Sequence, residues 1–211
     1  ATATSMQEGM DATSPQISIT QDDAIIMGNY AFARGSYSTE GTMDGQATSN
    51  SGGWMSYGEM IDGEWKLHGL VSGIGDGQSA PGFQMGEMPA SNESAAMAAE
   101  GAEYFVTHFN AGHAEMVGSR YAEDVILINS PENGRAALVA NLQAMIDQGA
   151  QVTVTPFAAV EHGDYMSSIG TYTMTVDGQT ATGHYGNVSM ANADGTQSVI
   201  WSLATTHPTG M

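Results

Sequence analysis

The chain has 211 residues, 41% of them hydrophobic, which is enough for one domain or two small ones at roughly 150 residues each. It carries 23 acidic and 4 basic residues, and the net charge of −19 excludes the clustered Lys and Arg with which proteins hold nucleic acid. An anionic membrane surface would also repel the chain, and no segment reaches the about 18 apolar residues of a membrane-spanning helix, so we expect neither nucleic acid binding nor membrane insertion.

The absence of cysteine excludes disulfide bonds and thiol chemistry. The chain starts Ala1-Thr2-Ala3-Thr4 without a charged and apolar leader, which is typical of a processed protein, although removal of a natural start would look the same. Ser, Thr, Gly and Asn are abundant and tryptic sites are few, which suits exposure to proteases. We therefore expect a secreted or periplasmic protein.

An internal repeat organises the chain. We expect an N-terminal arm at residues 1–15, followed at residues 16–72 by a set of strands that recurs later. Gly, Tyr, Gly and Tyr stand in the same register in residues 28–38 and in residues 163–173. Two further matches follow in order, residues 44–48 with 177–181 and residues 62–63 with 194–195. Three matches in order indicate a duplication in which the first copy keeps only the sheet.

The second copy begins with helices. Residues 73–90 are rich in Gly, Pro, Ser and Met and predict a linker before a complete unit at residues 91–207. Ser91 or Asn92 can cap the first helix. Its apolar face follows helical spacing through Ala98, Ala102, Phe105, Val106 and Phe109.

Further elements of the second copy follow from local signals. Residues 110–112 break the first helix, a short helix is predicted at residues 114–121, and residues 125–128 predict a buried strand. A third helix is predicted at residues 135–148, with Gly149 as its stop.

Four strands complete the second copy. Their alternating segments are residues 151–160, 165–176, 182–190 and 198–206, which predict an antiparallel sheet. Asp177-Gly178 marks a hairpin, because a type I′ turn needs positive φ at both central residues.

Several segments of this second copy carry a family resemblance. They are residues 104–113 (Tyr-Phe-Val-Thr-His-Phe-Asn-Ala-Gly-His), residues 121–125 (Tyr-Ala-Glu-Asp-Val), Gly134-Arg135, residues 170–173 (Gly-Thr-Tyr-Thr) and Asp194-Gly195. Together with the order helix, helix, strand, helix and meander, they resemble the nuclear transport factor 2-like superfamily, which includes SnoaL-like proteins and ketosteroid isomerases. The chain departs from the family at His113, where an acidic residue is common, and at Gln197-Ser198, where Trp-Lys is usual.

The resemblance implies an α+β fold: a cone-shaped, curved antiparallel sheet with three helices, plus an N-terminal partial repeat that contributes a mostly β half-domain. The cone of this superfamily encloses an apolar pocket with a few polar groups, so a small apolar ligand is implied. Seven side chains are expected to line it, namely Tyr104, His108, Tyr121, Phe157, Tyr172, His184 and Trp201.

Catalytic roles are also implied by the resemblance. In catalytic relatives a carboxylate or His removes a proton next to a carbonyl, while a Tyr or an acid stabilises the enolate. Here His108 or His184 would be the base and Tyr104 the donor, while Tyr121, Phe157, Tyr172 and Trp201 would bind the ligand.

Structural roles are the alternative for each of these side chains, because aromatic residues often only fill a core and histidines often lie at the surface. Spacing alone identifies no acid–base pair, so the sequence leaves open whether the protein is an enzyme. His162, His184 and His207 lack the spacing of a metal site, and we expect no metal and no cofactor.

A half-domain made only of strands exposes an apolar face and an edge that something must cover. The sequence favours the two sheets packing face to face within one chain; a neighbouring chain, or helices lost in processing, are alternatives. We also expect a homo-oligomer formed through the sheet faces or residues 1–72. Two functions stay open: an acidic, secreted SnoaL-like protein that binds a small apolar molecule, with or without isomerase- or cyclase-like proton transfer, and a non-catalytic assembly protein.

Overall fold

The computed structural model describes residues 16–43, 46–75 and 92–207. The predicted N-terminal arm, and the predicted linker from residue 76 onward, lie outside these residues. Within them the chain forms two β-sheets and three helices, and the predicted α+β class is confirmed. None of the three helices in these ranges is long and apolar enough to cross a membrane.

The first sheet contains four antiparallel strands in chain order: β1 (Gln16–Met27), β2 (Tyr30–Met43), β3 (Gln46–Ile61) and β4 (Glu64–Ile74). Tight turns join β1 to β2 and β3 to β4. They need positive φ, which Gly28 (62°), Asp62 (53°) and Gly63 (81°) provide. β4 extends to Ile74, two residues beyond the predicted end of the half-domain.

The second unit contains α1 (Asn92–Asn110), α2 (Ala114–Gly118), β5 (Tyr121–Ile128), α3 (Arg135–Asp147), β6 (Gln151–His162), β7 (Tyr165–Val176), β8 (Gln179–Ala191) and β9 (Gln197–Thr206). Its strand order is β5-β9-β8-β7-β6, with β5 parallel to β9 and the other pairs antiparallel. β5 begins at Tyr121, four residues earlier than predicted, so α2 is shorter than predicted.

Glycines end the helices where the sequence predicted a stop. Gly112 after α1 has a φ of 82° and Gly149 after α3 has a φ of 75°, the left-handed conformation that ends a helix. The predicted β7–β8 hairpin is also confirmed, because Asp177 (50°) and Gly178 (77°) both have positive φ.

The two faces of the second sheet contact different partners. Side chains alternate along a strand, so each strand contributes to both faces. One face packs against the helices through a core that includes Phe109, Val125 and Leu142. The other face packs against the first sheet, where Trp201 and Leu203 lie in one core with Phe32. The two sheets therefore pack face to face, the arrangement that the sequence favoured.

A cluster of rings lies where the first sheet meets the end of β6. The Nε2 atom of His162 is 2.9 Å from the Oη of Tyr57, and the ring of Tyr30 stacks on His162 with centroids 3.6 Å apart. Burial lowers the pKa of His162, although the nearby carboxylates of Glu59 and Glu161 oppose this effect. Burial also raises the pKa of Tyr57 to about 12, so its hydroxyl stays protonated and can donate to the neutral imidazole.

This burial predicts that acid destabilises the fold. The pKa values of His162 and His184 are lowered from 6.5, both mainly by burial, and that of His184 also by His207. As the pH falls below about 6.5, these two histidines take up protons in the unfolded chain before they do so in the folded protein. The free energy of unfolding therefore decreases as the pH falls, whereas above that pH the histidines cause no such loss. We expect His162→Gln, which can still accept from Tyr57, to show a shallower decrease in the free energy of unfolding between about pH 7 and pH 5.

Urea denaturation at several pH values measures this effect. Since all carboxylates are shared by the native protein and the variant, their contribution cancels in the difference between the two slopes. Identical slopes would show that His162 carries the same proton affinity in the folded and unfolded states.

Candidate functional site

A cavity of about 560 Å³ lies between the helices and the facing side of the second sheet. Its apolar lining includes Phe105, Phe109, Leu138, Leu142, Met145 and Val152. Among residues 16–43 and 46–75, which form the first sheet, none contributes to the lining. The cavity is therefore built by the second unit, and the half-domain packs on the opposite face of the same sheet.

The cavity has a closed end and an open end. Phe109, Val117 and Leu142 are at most 4% exposed, and we call the buried apolar part of the lining to which they belong the closed end. Exposed lining residues mark the open end, which lies between α1 and the turn from β8 to β9: Glu100, Gly101, Gly195 and Thr196. A ligand would therefore enter between this turn and the first half of α1.

Three tyrosines supply polar groups inside the cavity. Burial raises the pKa of Tyr121 to about 12, although a hydrogen bond from Ser202 opposes the shift. Burial and the neighbouring Tyr121 raise the pKa of Tyr185, and burial raises that of Tyr172, whose Oη is 2.8 Å from the Oγ1 of Thr206. All three phenols stay neutral near pH 7 and can exchange hydrogen bonds with a ligand.

A polar row crosses the sheet beneath these tyrosines. Ser168, Asn187 and Ser202 lie side by side on β7, β8 and β9, and all three line the cavity. The Oδ1 of Asn187 is buried and accepts no hydrogen bond from the described residues. Tyr185 and Asn187 were not expected at the cavity from the sequence. Together with Ser189 they occupy every second position of β8, as residues on one face of a strand do.

The structure places three of the seven expected lining residues at the cavity, namely Tyr104, Tyr121 and Tyr172. His108 is next to Tyr104, with ring centroids 4.3 Å apart, but it lies towards His113 and does not line the cavity. Four residues advance a helix by about 40° beyond a full turn, so Tyr104 and His108 need not reach the same space.

Strand geometry places the other three elsewhere. His184 and Trp201 are on the face towards the first sheet: His184 lies 4.6 Å from the ring of His207, and Trp201 is 4% exposed in the core between the sheets. Phe157 is 52% exposed because it occupies a bulge between Pro156 and Ala158 and has no partner on β7.

A bulge also explains the position of Trp201. The register between β8 and β9 shifts at Val188 and Ser189, so that Ile200 and Trp201 both pack towards the first sheet. Strict alternation from Val199 would have given these two side chains opposite faces. Such a shift leaves no signal in the sequence.

Comparison with known proteins agrees with this architecture. The SnoaL-like domain family matches residues 102–204, which include the second half of α1 and most of β9. Residues 102–204 form a SnoaL-like domain. The expected family resemblance is thereby confirmed for this part of the chain. No curated protein matches the chain.

Three solved structures are similar to about half of this chain. A nuclear transport factor 2-like protein of unknown function from Shewanella oneidensis has 14% identity over 51% of this chain and 94% of its own, with a TM-score of 0.46. One with a cystatin-like fold from Novosphingobium aromaticivorans has 15% identity over 56% and 84%, with a TM-score of 0.47. A ketosteroid isomerase-like protein from Erwinia carotovora atroseptica has 16% identity over 55% and 98%, with a TM-score of 0.44. These similarities concern the fold alone.

The charged side chains that line the cavity of the SnoaL-like domain lie at its open end. Glu100 is exposed there, and the guanidinium of Arg120 lies 4.4 Å from the ring centroid of Tyr104. Deeper in the described lining the polar groups are hydroxyls and amides. Such a cavity can hold an apolar body and meet a polar substituent with hydrogen bonds.

Proposed function

We propose that the SnoaL-like domain binds one small, mainly apolar molecule in its cavity. The observation that supports this proposal is a space of about 560 Å³ whose closed end is apolar and whose sheet side carries Tyr121, Tyr172 and Tyr185. This combination is typical of small-molecule sites, which are largely apolar with a few polar groups that fix orientation.

We propose binding without proton transfer. A general base works best when its pKa lies near the operating pH. The part of the lining that the structure describes offers no such group at depth, because the pKa values of Tyr121, Tyr172 and Tyr185 are raised and Glu100 is exposed at the open end. The two histidines expected to act as the base, His108 and His184, lie outside the lining.

Titration with N-phenyl-1-naphthylamine, a neutral apolar fluorophore, tests the proposal. We expect saturable binding of one probe per chain, with the emission of a probe held away from water. Native mass spectrometry of the protein as isolated would show whether a small molecule of reproducible mass accompanies it. Non-saturable fluorescence together with no bound mass would contradict the proposal.

Assembly is a second candidate function, supported by β1. This strand has one neighbour, β2, so its other edge is unpaired in the described sheet. Three of its isoleucines are exposed: Ile17 (51%), Ile19 (70%) and Ile26 (66%). An exposed apolar edge strand can pair with another chain.

We therefore expect any oligomer to depend on Ile19. A lysine in the middle of a β–β contact adds a charge that must lose its hydration, so Ile19→Lys should convert the oligomer to monomer at micromolar concentration. Ile61→Lys, the same change at an exposed position of β3, should leave the assembly intact. Native mass spectrometry distinguishes the species, and a native protein that is already monomeric would exclude assembly as the function.

A further inference from the structure

Arg120 is held in a defined place at the open end of the cavity. It directly precedes β5, and its carbonyl oxygen accepts a hydrogen bond of 2.9 Å from the backbone N–H of Val199. Its guanidinium packs over the ring of Tyr104, whose hydroxyl in turn donates to the carbonyl oxygen of Met116 at 3.2 Å. The side chain is half-buried and lines the cavity.

The other three cations of the chain have oxygen partners. Arg34 pairs with Asp23 at 3.4 Å and Lys66 with Glu64 at 2.5 Å. The Nε of Arg135 donates to the carbonyl oxygen of Tyr121 at 2.8 Å. Arg120, by contrast, has neither an ion pair nor a hydrogen-bonded acceptor for its guanidinium among residues 16–43, 46–75 and 92–207.

A guanidinium with no ion pair among the described residues is notable in a chain with 23 acidic residues. A half-buried cation has lost part of its hydration, and stacking on a tyrosine returns only about 0.5–1 kcal/mol where water has access. A carboxylate from the protein would have completed the site. Its absence from the described surroundings leaves the five N–H donors of Arg120 available to water or to a ligand at the cavity opening.

We propose that the ligand of the cavity is an amphipathic carboxylate, whose anionic group binds Arg120 at the open end while its apolar body extends towards Phe109 and Leu142. This inference rests on the proposed binding function and specifies its ligand class. The guanidinium fork suits a carboxylate because both can form two parallel hydrogen bonds. The apolar closed end can hold the apolar body of the ligand.

Glu100 does not cancel the attraction of Arg120 for an anionic ligand. It also lines the open end, but its side chain is exposed, so water screens its charge more than that of the half-buried Arg120. The two form no ion pair within 4.0 Å in the described structure. No other carboxylate of the described residues lies within 4.0 Å of the Arg120 guanidinium.

Displacement of N-phenyl-1-naphthylamine by three ten-carbon compounds tests the ligand class. The competitors are decanoate, 1-decanol and decylammonium, which share an apolar chain and differ in the charge of the head group. We expect decanoate to compete about tenfold better than decanol, since hydrogen bonds to charged groups contribute more than neutral ones. Equal competition, or the best competition from decylammonium, would overturn the proposal.

Variants of charged residues test which side chain causes the preference for decanoate over decanol. In Arg120→Gln we expect decanoate to displace the probe no better than decanol does. Displacement by decanol itself should be the same as in the native protein. Arg120→Lys keeps the charge without the fork and should retain part of the preference. Glu100→Gln should strengthen decanoate binding. Lys66→Gln removes one positive charge, as Arg120→Gln does, but at an exposed site in the first sheet, and should leave the preference for decanoate unaltered.

The outcomes separate the two proposals. If the probe does not bind the native protein, the proposed function fails. If the probe binds but the preference for decanoate persists in Arg120→Gln, the function stands and the role of Arg120 is limited to stacking on Tyr104. Probe binding by each variant also shows that its cavity has folded.

Discussion

Replacing Ala102 with Phe is expected to weaken binding of N-phenyl-1-naphthylamine by about tenfold or more. Ala102 is on α1 and lines the cavity, so the added ring occupies space that the apolar body of the ligand needs. Losing the burial of one ring face corresponds to more than about 1.4 kcal/mol, which is a factor of ten in affinity. Fluorescence titration gives the dissociation constants directly.

Ala99→Phe is the matched control for this change. Ala99 is three residues earlier on α1, is exposed and does not line the cavity. The Ala99→Phe variant should bind the probe with the affinity of the native protein. Thermal unfolding should show that both variants are folded. Equal affinity in Ala102→Phe and Ala99→Phe would mean that the probe binds at the surface and that the cavity is not the site.

Replacing Phe32 with Ala is expected to lower the free energy of unfolding by about 3–5 kcal/mol, the range for deleting a buried aromatic side chain. Phe32 belongs to the first sheet and is 0% exposed. It lies in one core with Trp201 and Leu203 of the second sheet. The loss should therefore destabilise the SnoaL-like domain as well as the half-domain, in a single transition.

Phe157→Ala is the corresponding control on a strand. Phe157 is 52% exposed, and we expect its removal to change stability by less than about 0.5 kcal/mol. Urea denaturation followed by tryptophan fluorescence and by far-ultraviolet circular dichroism tests the prediction. Two separate transitions, with that of the SnoaL-like domain unaffected by Phe32→Ala, would show that the shared core does not couple the two units.

The position of the half-domain explains how an extra sheet is compatible with the cavity. The second sheet uses one face for the helices and the cavity, and the other face for the first sheet. At Gly186 the sheets approach so closely that a Cβ atom would lie 3.1 Å from Val71. The half-domain thus covers an apolar face without filling the cavity.

Local interactions made much of this fold predictable. The apolar spacing of Ala98, Phe105 and Phe109 specifies a helix because residues three and four apart share a face. Asp177-Gly178 specifies a hairpin because few residues tolerate positive φ. The repeated Gly and Tyr pattern indicated that residues 16–72 form a sheet related to that of the second unit.

The family resemblance also predicted part of the cavity lining. Tyr104, Tyr121 and Tyr172 were expected at the cavity from the resemblance, and the structure places them there. Their positions follow from the helix and the strands that carry them. The ligand and the effect of each residue on binding stay predictions that the titrations above would test.

The sequence by itself determined most of the elements and the class of fold, because helix faces, turns and strand alternation depend on neighbours within a few residues. Only the tertiary structure decided which side chains meet at the cavity. Bulges at Phe157 and Ile200 shift the faces of β6 and β9, and Arg120 reaches the opening only because α2 and β5 bring it over Tyr104. These positions depend on register and on contacts between segments distant in the chain, and a shift of one residue moves a side chain to the opposite face of a sheet.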